Sequence, residues 1–451
     1  MDSTYIDELL RQTNLHAEQE RAAKNDNSSF EPIVKEELLA FVGVNVAMGV
    51  VSLPSMEDYW STNLILAHPW FRSILSRNRF RQILRYVHVA DNSQALDRSD
   101  PGYDKLWKVR PLLDIVCKRS LELYSPHPQI SVDESMIGTK SRLSFIQYMP
   151  KKPVKWGIKN CVCADSVTGY ILTFDVYCGG NASHSVHPKG LAYGVVMKLV
   201  QPFLDKGHTV YMDNFYTSPE LFHDLLERNT SASGTVRQNR KHFPALLKPV
   251  YGETARPRGT TTFAYYKQLT MVRWSDNKDV YALSTLYSDQ LTTARRRVGS
   301  AVSDVPCPRI ISDYNAFMGG VDLADQAMCY YSIGRKSMKW WRRVFWRMVD
   351  HVITNAYVIY SANNAHSLER IHTRVKFRLQ LANDLATPAL HLRKGPGRSP
   401  AQSLSRLTGK HFPYWSGVKD KKITRWCPKC EVHLCIGTCF EVYHTRVNYK
   451  H

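Results

Sequence analysis

Two periodicities divide this chain. Up to about residue 115, apolar positions recur every three or four residues, the spacing of helices with one inward face. Glu36 to Val50 (EELLAFVGVNVAMGV) reads as an apolar helix, and Pro54 opens a short one at PSMEDYW. Ser76 stands as the N-cap of SRNRFRQILRYVHV, in which Phe80, Ile83, Leu84 and Val87 make one stripe. Arg77, Arg79, Arg81 and Arg85 surround that stripe and read equally as a phosphate-facing surface or a solvated face. Asp91 to Asp104 is polar and turn-rich. Lys105 to Tyr124 returns to helix, with Leu112, Ile115, Val116 and Leu123 expected inward.

Pro126 and Pro128 close this region, and short β-branched runs take over. QISVDESMIGTK reads as a strand with Asp133 near its middle and Gly138 at its end. A basic loop (Lys151, Lys152, Lys155) leads to a strand pair, VKWGIKNCVCAD and YILTFDVYCGG, turning at Ser166 to Gly169. Leu191 to Leu204 is an amphipathic helix stopped by Gly207. HTVYMDNFYTS is a second acid-bearing strand, with Asp213 after Val210, Tyr211 and Met212. Ser218 and Pro219 are the N-cap and first residue of the helix SPELFHDLLERN, and SGTVRQNR is a strand running into a basic turn. The succession predicts a mixed α/β layout in which the Asp133 and Asp213 strands lie side by side.

From about residue 245 to 305 the pattern is interrupted by short strands at TTFAYYKQLTMVRW and DVYALSTLYS. Arg295, Arg296 and Arg297 follow, read as a phosphate-facing loop or a solvated run. Gly319 and Gly320 break the chain before a helix carrying Asp322 and Asp325, three apart and so on one face. In RKSMKWWRRVFWRMVDHVITNAYVIY, Trp341, Phe345, Met348, Val349, Val352 and Ile353 give a long helix its apolar side. Trp340, flanked by Lys339, Arg342 and Arg343, reads either as core or as a stacking platform for an unpaired base. Leu390 to Pro413 has the composition of a flexible basic linker.

Composition narrows the function classes. Lys and Arg number 60 against 40 Asp and Glu, a formal charge of +20 over 451 residues, which suits a polyanionic partner, nucleic acid before membrane. No apolar run approaches the roughly 20 residues of a membrane span. MDSTYIDELLRQTN lacks the basic-then-apolar pattern of a signal peptide. Six cysteines (Cys117, Cys161, Cys163, Cys178, Cys307, Cys329) are scattered, which fits reduced thiols better than a disulfide framework. The other four fall within the tail, where Cys427, Cys430, Cys435, Cys439 and His444 have a spacing that suits zinc.

A carboxylate in an apolar strand is costly to bury unless something neutralises it. If Asp133, Asp213 and Asp322 meet, Mg²⁺ (or Mn²⁺) is the expected hard cation, and phosphodiester chemistry the expected use. From spacing alone, ordinary strand-end and helix-cap acids would look the same.

The motifs SVDESMIG, YMPKKPVKWGIK, VYMDNFYTSPELF, SGTVRQNRK, DYNAFMGGVDLADQ, YYSIGRKSMKWW and CPKCEVHLCIGTCFEVYHT resemble the piggyBac family of DNA transposases over nearly the whole chain. The resemblance implies an α/β ribonuclease-H-like catalytic core with an inserted β-rich domain, flanked by helical dimerisation and DNA-binding segments, and a small C-terminal cysteine-rich zinc finger. Its boundaries here are 1–125 (helical), 126–245 (first part of the core), 246–308 (insertion), 309–390 (last part of the core and helical segment), 391–425 (linker) and 426–446 (zinc-binding tail). It implies Asp133, Asp213 and Asp322 as catalytic metal ligands and Asp325 as an accessory acid. The expected DNA contacts are Trp340, Arg335, Lys336, Lys339, Lys152, Lys155, Arg237 and Arg240. The implied activity is cut-and-paste transposition on double-stranded DNA, at transposon ends and TTAA targets, by a nuclear homodimer without membrane attachment. The alternative is a domesticated DNA-binding or chromatin protein that no longer transposes.

Two departures carry expectations of their own. The chain starts almost inside the first helices, without the acidic leader usual in the family, and so reads as a truncated copy or fragment. No cysteine lies between Lys410 and Trp426, so one zinc per chain is expected, from Cys427, Cys430, Cys439 and His444 with Cys435 as competitor.

Overall fold

The structure is a computed structural model that describes residues 3–150, 152–179, 187–251, 254, 256–298, 301–334, 337–365, 371–392, 414–415, 425–427, 432–433, 441 and 443–444. In chain order the helices are α1 (Ser3–Ala23), α2 (Lys35–Val50), α3 (Pro69–Ile74), α4 (Arg77–Tyr86), α5 (Arg110–Glu122), α6 (Leu191–Val200), α7 (Pro219–Glu227), α8 (Arg309–Phe317), α9 (Gly320–Cys329), α10 (Trp340–Asn363) and α11 (Arg374–Ala386). The strands are β1 (Gln129–Gly138), β2 (Ile146–Tyr148), β3 (Trp156–Asp165), β4 (Ile171–Val176), β5 (Thr209–Met212), β6 (Ser231–Thr235), β7 (Thr261–Tyr266), β8 (Leu269–Ser275), β9 (Asp279–Ser284), β10 (Leu291–Val298) and β11 (Ala301–Pro308). Among the described residues, no helix is long and apolar enough to cross a membrane. The six scattered cysteines are free thiols.

The chain forms two units. One, from Ile6–His88 and Thr373–His451, is helical in its described part, apart from short strands in the tail. Its starts are set by capping: Ser76 accepts from the amide of Arg79 at 3.2 Å, and Thr373 accepts from that of Lys376. A Cβ on Gly43 would lie 2.7 Å from the carbonyl oxygen of Ala382, so glycine is what lets α2 and α11 approach closely. The basic helix α4 is neutralised within this unit. Arg79 pairs with Glu37 at 2.6 Å, Arg85 with Glu20 at 3.2 Å and Arg81 with Glu57 at 3.8 Å. Three of its four arginines thus serve the packing of the helical unit.

The other unit, centred on Val89–His372, is built on a nine-stranded mixed sheet with the order β2-β3-β1-β5-β6-β9-β8-β7, and β4 pairs with β3. β1–β5 and β5–β6 are parallel, and the other pairs are antiparallel. Local chemistry sets the turns. At the β3–β4 turn, Asp165 accepts from the amides of Val167 and Thr168, both at 2.9 Å, and Gly169 takes φ 72°. Ser218 caps α7 by accepting from the amide of Leu221 at 3.3 Å. The core joins Ile130 and Val132 of β1, Val210 and Met212 of β5, and Val196 and Leu199 of α6 with Leu221, Phe222 and Leu225 of α7. Each of these is 1% exposed or less, and burial of this kind supplies most of the folding drive.

Four expectations change here. The helix predicted from Lys105 starts at Arg110, because Asp104 accepts the amide of Leu106 at 2.9 Å and holds a turn before it. Leu123, expected inward, is 56% exposed just past the helix end. In the stretch read as an insertion, 246–308, strands β7 to β9 continue the main sheet through the β6–β9 pairing, and only β10–β11 form a separate hairpin. That hairpin has a small core with Val272, Trp274 and Ala282. Arg295, Arg296 and Arg297 lie in strand β10, not in a loop, and Arg296 pairs with Asp276 at 3.1 Å.

Helix α9 comes close to the sheet for a specific reason. A Cβ on Gly320 would lie 2.5 Å from Ser131 Oγ and 2.8 Å from the carbonyl oxygen of Asp165. Across the contact, a Cβ on Gly169 would lie 3.1 Å from the amide nitrogen of Ala324. Gly320→Ala is therefore expected to cost about 1–3 kcal/mol of stability by overpacking, measured by chemical denaturation. Gly319→Ala, with nothing within 4 Å of the added carbon, is the neutral control. Equal midpoints for the two variants would show that the close approach is not required.

Candidate active site

The parallel pairing of β1 with β5 ends at one level, and each strand delivers an acid just beyond it. β1 pairs with β5 up to Val132↔Met212, so Asp133 and Asp213 follow at the same level on neighbouring strands. β5 stops there. Asp213 accepts from the amide of Phe215 at 2.8 Å, and its main-chain oxygen takes the Thr217 hydroxyl at 2.9 Å, so the chain turns away. β1 runs on to Gly138 against β3. The space vacated beside β1 is where the carboxyls meet.

One oxygen from each of Asp133, Glu134 and Asp213 lies within 4.8 Å of the others. Burial pushes Asp133 from an ordinary 3.8 up to about 7, helped by its hydrogen bond to Glu134 and opposed by Lys152. Burial also opposes ionisation of Glu134, but its bond with Asp133 and the ammonium of Lys159, 2.9 Å away, hold it below the usual range. Asp213 is raised by burial and by the Glu134 charge, against the Phe215 amide. The three form an oxygen donor set short of positive charge, the environment a hard divalent cation fits.

Asp322 is exposed near the start of α9 and is not one of the three acids that converge within 4.8 Å. It does act on the same neighbours: its charge raises Lys152 together with Asp133, and raises Tyr314 together with Asp213 and Asp133. Asp325, a turn later, is tied elsewhere. It accepts the Ser135 hydroxyl at 2.7 Å and an ion pair from Arg347.

The expected DNA contacts fall into three groups. Lys152 is part of the acid cluster, with Nζ 3.3 Å from Asp133 Oδ2 and 2.8 Å from the main-chain oxygen of Glu134. Arg237 and Arg240 brace the Asp213 turn: Arg237 donates to Asn214 Oδ1 and Arg240 to the Asn214 main-chain oxygen, each at 2.7 Å. Lys155 and Lys339 are exposed, while Trp340 is half-buried at the start of α10, edge-to-face on Phe145 with centroids 5.8 Å apart. Arg335 and Lys336 lie outside the described residues, as do Cys430, Cys435 and Cys439 of the zinc set. Cys427 is buried and His444 half-buried.

Sequence reasoning missed Glu134 and Lys159. The signal was present, an acid beside Asp133 and a lysine in the partner strand, but simple strand alternation assigns adjacent residues to opposite faces. A second acidic group, His223, Asp224 and Glu227 on α7, is partly spent on other partners, since Asp224 takes Lys189 and the Tyr193 hydroxyl.

A family model described as Transposase IS4 matches residues 1–357. The human PiggyBac transposable element-derived protein 3 is 26% identical over 99% of this chain and 75% of its own length. The chain belongs to the piggyBac transposase family. PiggyBac transposable element-derived protein 2, also human, is 26% identical over 80% of the chain, which spans 60% of that relative. The fold is that of a piggyBac transposase, solved by cryo-EM as a synaptic complex with hairpin DNA. The likeness has a TM-score of 0.76 at 24% identity and covers 96% of this chain and 92% of that one.

The raised Asp133 has a consequence for stability. Between about pH 4 and 7 the folded chain keeps a proton that the unfolded chain has lost, so this group's contribution to stability falls as pH rises through that window. Asp133→Asn, which keeps the shape and removes the charge, is expected to stabilise the protein in EDTA at pH 8 by on the order of a few kcal/mol, with the gain vanishing near pH 4. A pH-independent change in thermal midpoint would show that the carboxyl is not the destabilised group.

Proposed function

We propose that this chain is a metal-dependent DNA strand-cleaving and strand-transferring enzyme, a cut-and-paste transposase acting on transposon ends and TTAA targets. The observation that carries the reading is the parallel β1–β5 pairing, which sets Asp133 and Asp213 side by side. The strand order β4-β3-β1-β5-β6, antiparallel and then parallel, supports a ribonuclease-H-like core. DNA as substrate is supported by the fold likeness to a transposase seen with hairpin DNA and by the charge of +20.

In this reading Asp133 and Asp213 hold Mg²⁺ or Mn²⁺, and Asp322 supplies the third carboxylate from the glycine-docked helix. Held there, such a cation would supply Lewis-acid activation of a water or 3′-hydroxyl and stabilisation of a leaving oxygen. Asp325, held by Arg347 and Ser135, fixes the turn of α9 below Asp322. Lys152 neutralises Asp133 and stands ready for a phosphate, while Arg237 and Arg240 keep the Asp213 turn in place. Lys155, Lys339 and Trp340 face the DNA. The enzyme works as a homodimer in the nucleus. The tail binds one zinc through Cys427, Cys430 and His444 with Cys439 or Cys435, a reading supported by their spacing.

One observation favours a second reading, a derived DNA-binding protein that no longer transposes. The curated relatives PiggyBac transposable element-derived proteins 2 and 3 are, by name, element-derived.

Cleavage of an element-end duplex or hairpin in Mg²⁺ separates the two. Asp133→Ala and Asp213→Ala are each expected to lose roughly 10³-fold or more in rate. An inactive intact chain that still binds DNA supports the derived-protein reading, and equal rates for the chain and its variants exclude the aspartates. For the tail, elemental analysis of the purified chain is expected to give one zinc per molecule, and a value of two or none would refute the ligand set.

A further inference from the structure

The loop leaving β6 does two things in succession. Arg240 binds the main-chain oxygens of Asn214 and Phe215, in the turn that follows Asp213. The next three residues, Lys241, His242 and Phe243, line a cavity of about 710 Å³ that is bounded on another side by the β7–β8 hairpin. One short stretch of chain thus connects the cavity lining to the turn after Asp213.

Its chemistry is divided between floor and rim. Phe243, Met271 and Leu283 form an apolar floor, 8%, 4% and 1% exposed. On the rim, Tyr265 and Tyr266 are 56% and 66% exposed. Lys241 and Lys267 add positive charge there, and Lys267 Nζ lies 5.7 Å from the centre of the Tyr266 ring. The carboxylate among the lining residues, Glu220, faces Lys189 at 3.6 Å, so it does not cancel the rim lysines. His242 and Lys267 take φ of 64° and 53°, a region non-glycine residues seldom adopt, and both of these bends lie on the lining.

We infer that this cavity takes an unpaired nucleotide of a DNA strand. A concavity of this size with apolar walls and a few polar groups suits a planar ring system. Exposed aromatic side chains beside lysines are the usual means of holding a base and its phosphate without reading sequence. The base lies against Tyr266 and the apolar floor, and the flanking phosphates meet Lys241 and Lys267; Tyr265 stands on the other face of β7, stacked with Phe263 at 6.3 Å. A base inside a duplex is stacked on both faces and paired along its edge, so it does not enter. The inference rests on the strand-cleaving reading above and says where a strand goes once it leaves the acids unpaired.

The test uses the full chain in EDTA, where no cleavage occurs. Binding of a fluorescein-labelled single-stranded oligonucleotide and of a blunt duplex of the same sequence is followed by anisotropy. Tyr266→Ala is expected to weaken single-strand binding roughly tenfold and to leave duplex binding little changed, whereas Tyr265→Ala, on the opposite strand face, is expected to leave both unchanged. Both tyrosines are exposed, and an unchanged thermal midpoint confirms that each variant folds. Lys241→Glu with Lys267→Glu is expected to weaken single-strand binding and lower its salt dependence by roughly one to two ions released. The proposal is overturned by no single-strand binding, by equal losses on single strand and duplex, or by equally effective competition from a polyglutamate peptide of the same charge. If the intact chain fails to cleave yet its single-strand binding needs Tyr266, the catalytic reading falls and the pocket stands. Normal cleavage with binding independent of Tyr266 removes the pocket alone.

Discussion

Like charges forced together out of water dominate this unit. Three carboxyls converge where β5 stops, and the surrounding structure only partly compensates them, through Lys152 on Asp133 and Lys159 on Glu134. Left without further positive charge, the cluster holds a proton well above its ordinary range. Such an arrangement is poor engineering for stability alone. It is sensible where a cation of higher charge is meant to enter, because the cost carried by the empty set becomes affinity for the ion.

The rest of the unit can be understood as holding that cluster at its margin of solubility in the fold. The parallel pairing fixes the level of two acids, Arg237 and Arg240 pin the turn after the second, and Gly320 and Gly169 let α9 lie against the sheet with Asp322 near its start. None of these contacts is to a carboxylate of the trio. Each is a constraint on backbone position, the kind of support that a site built on strand ends needs, since a small shift in register moves a side chain to the other face.

Much of this was legible in the sequence. Ser76, Ser218 and the Gly319–Gly320 break mark helix starts because capping and glycine chemistry are local, and the structure has helices starting there. The acids stood out because Asp133 and Asp213 interrupt apolar strands. Pairing partners were not legible, because they depend on distant elements. Arg79, Arg81 and Arg85 read equally as a phosphate-facing or a solvated surface, and only the fold brings Glu37, Glu57 and Glu20 opposite them. Lys152 looked like a surface cation and sits on Asp133. Strands β7 to β9 looked like a separate module because nothing in their own residues says that β9 returns to pair with β6.

The parallel register of β1 with β5 also bears on how the molecule is made. Thr209 to Met212 are synthesised long after Gln129 to Val132, and only their meeting creates the acid cluster. Closing so long a loop costs entropy before any contact repays it. A nascent chain that has reached α6 carries Asp133 and Glu134 on a strand whose edge toward β5 is open, with Lys152 and Lys159 available but Asp213 still absent. The three-acid cluster is thus absent from every translation product that stops before Asp213 and arises only when β5 pairs with β1.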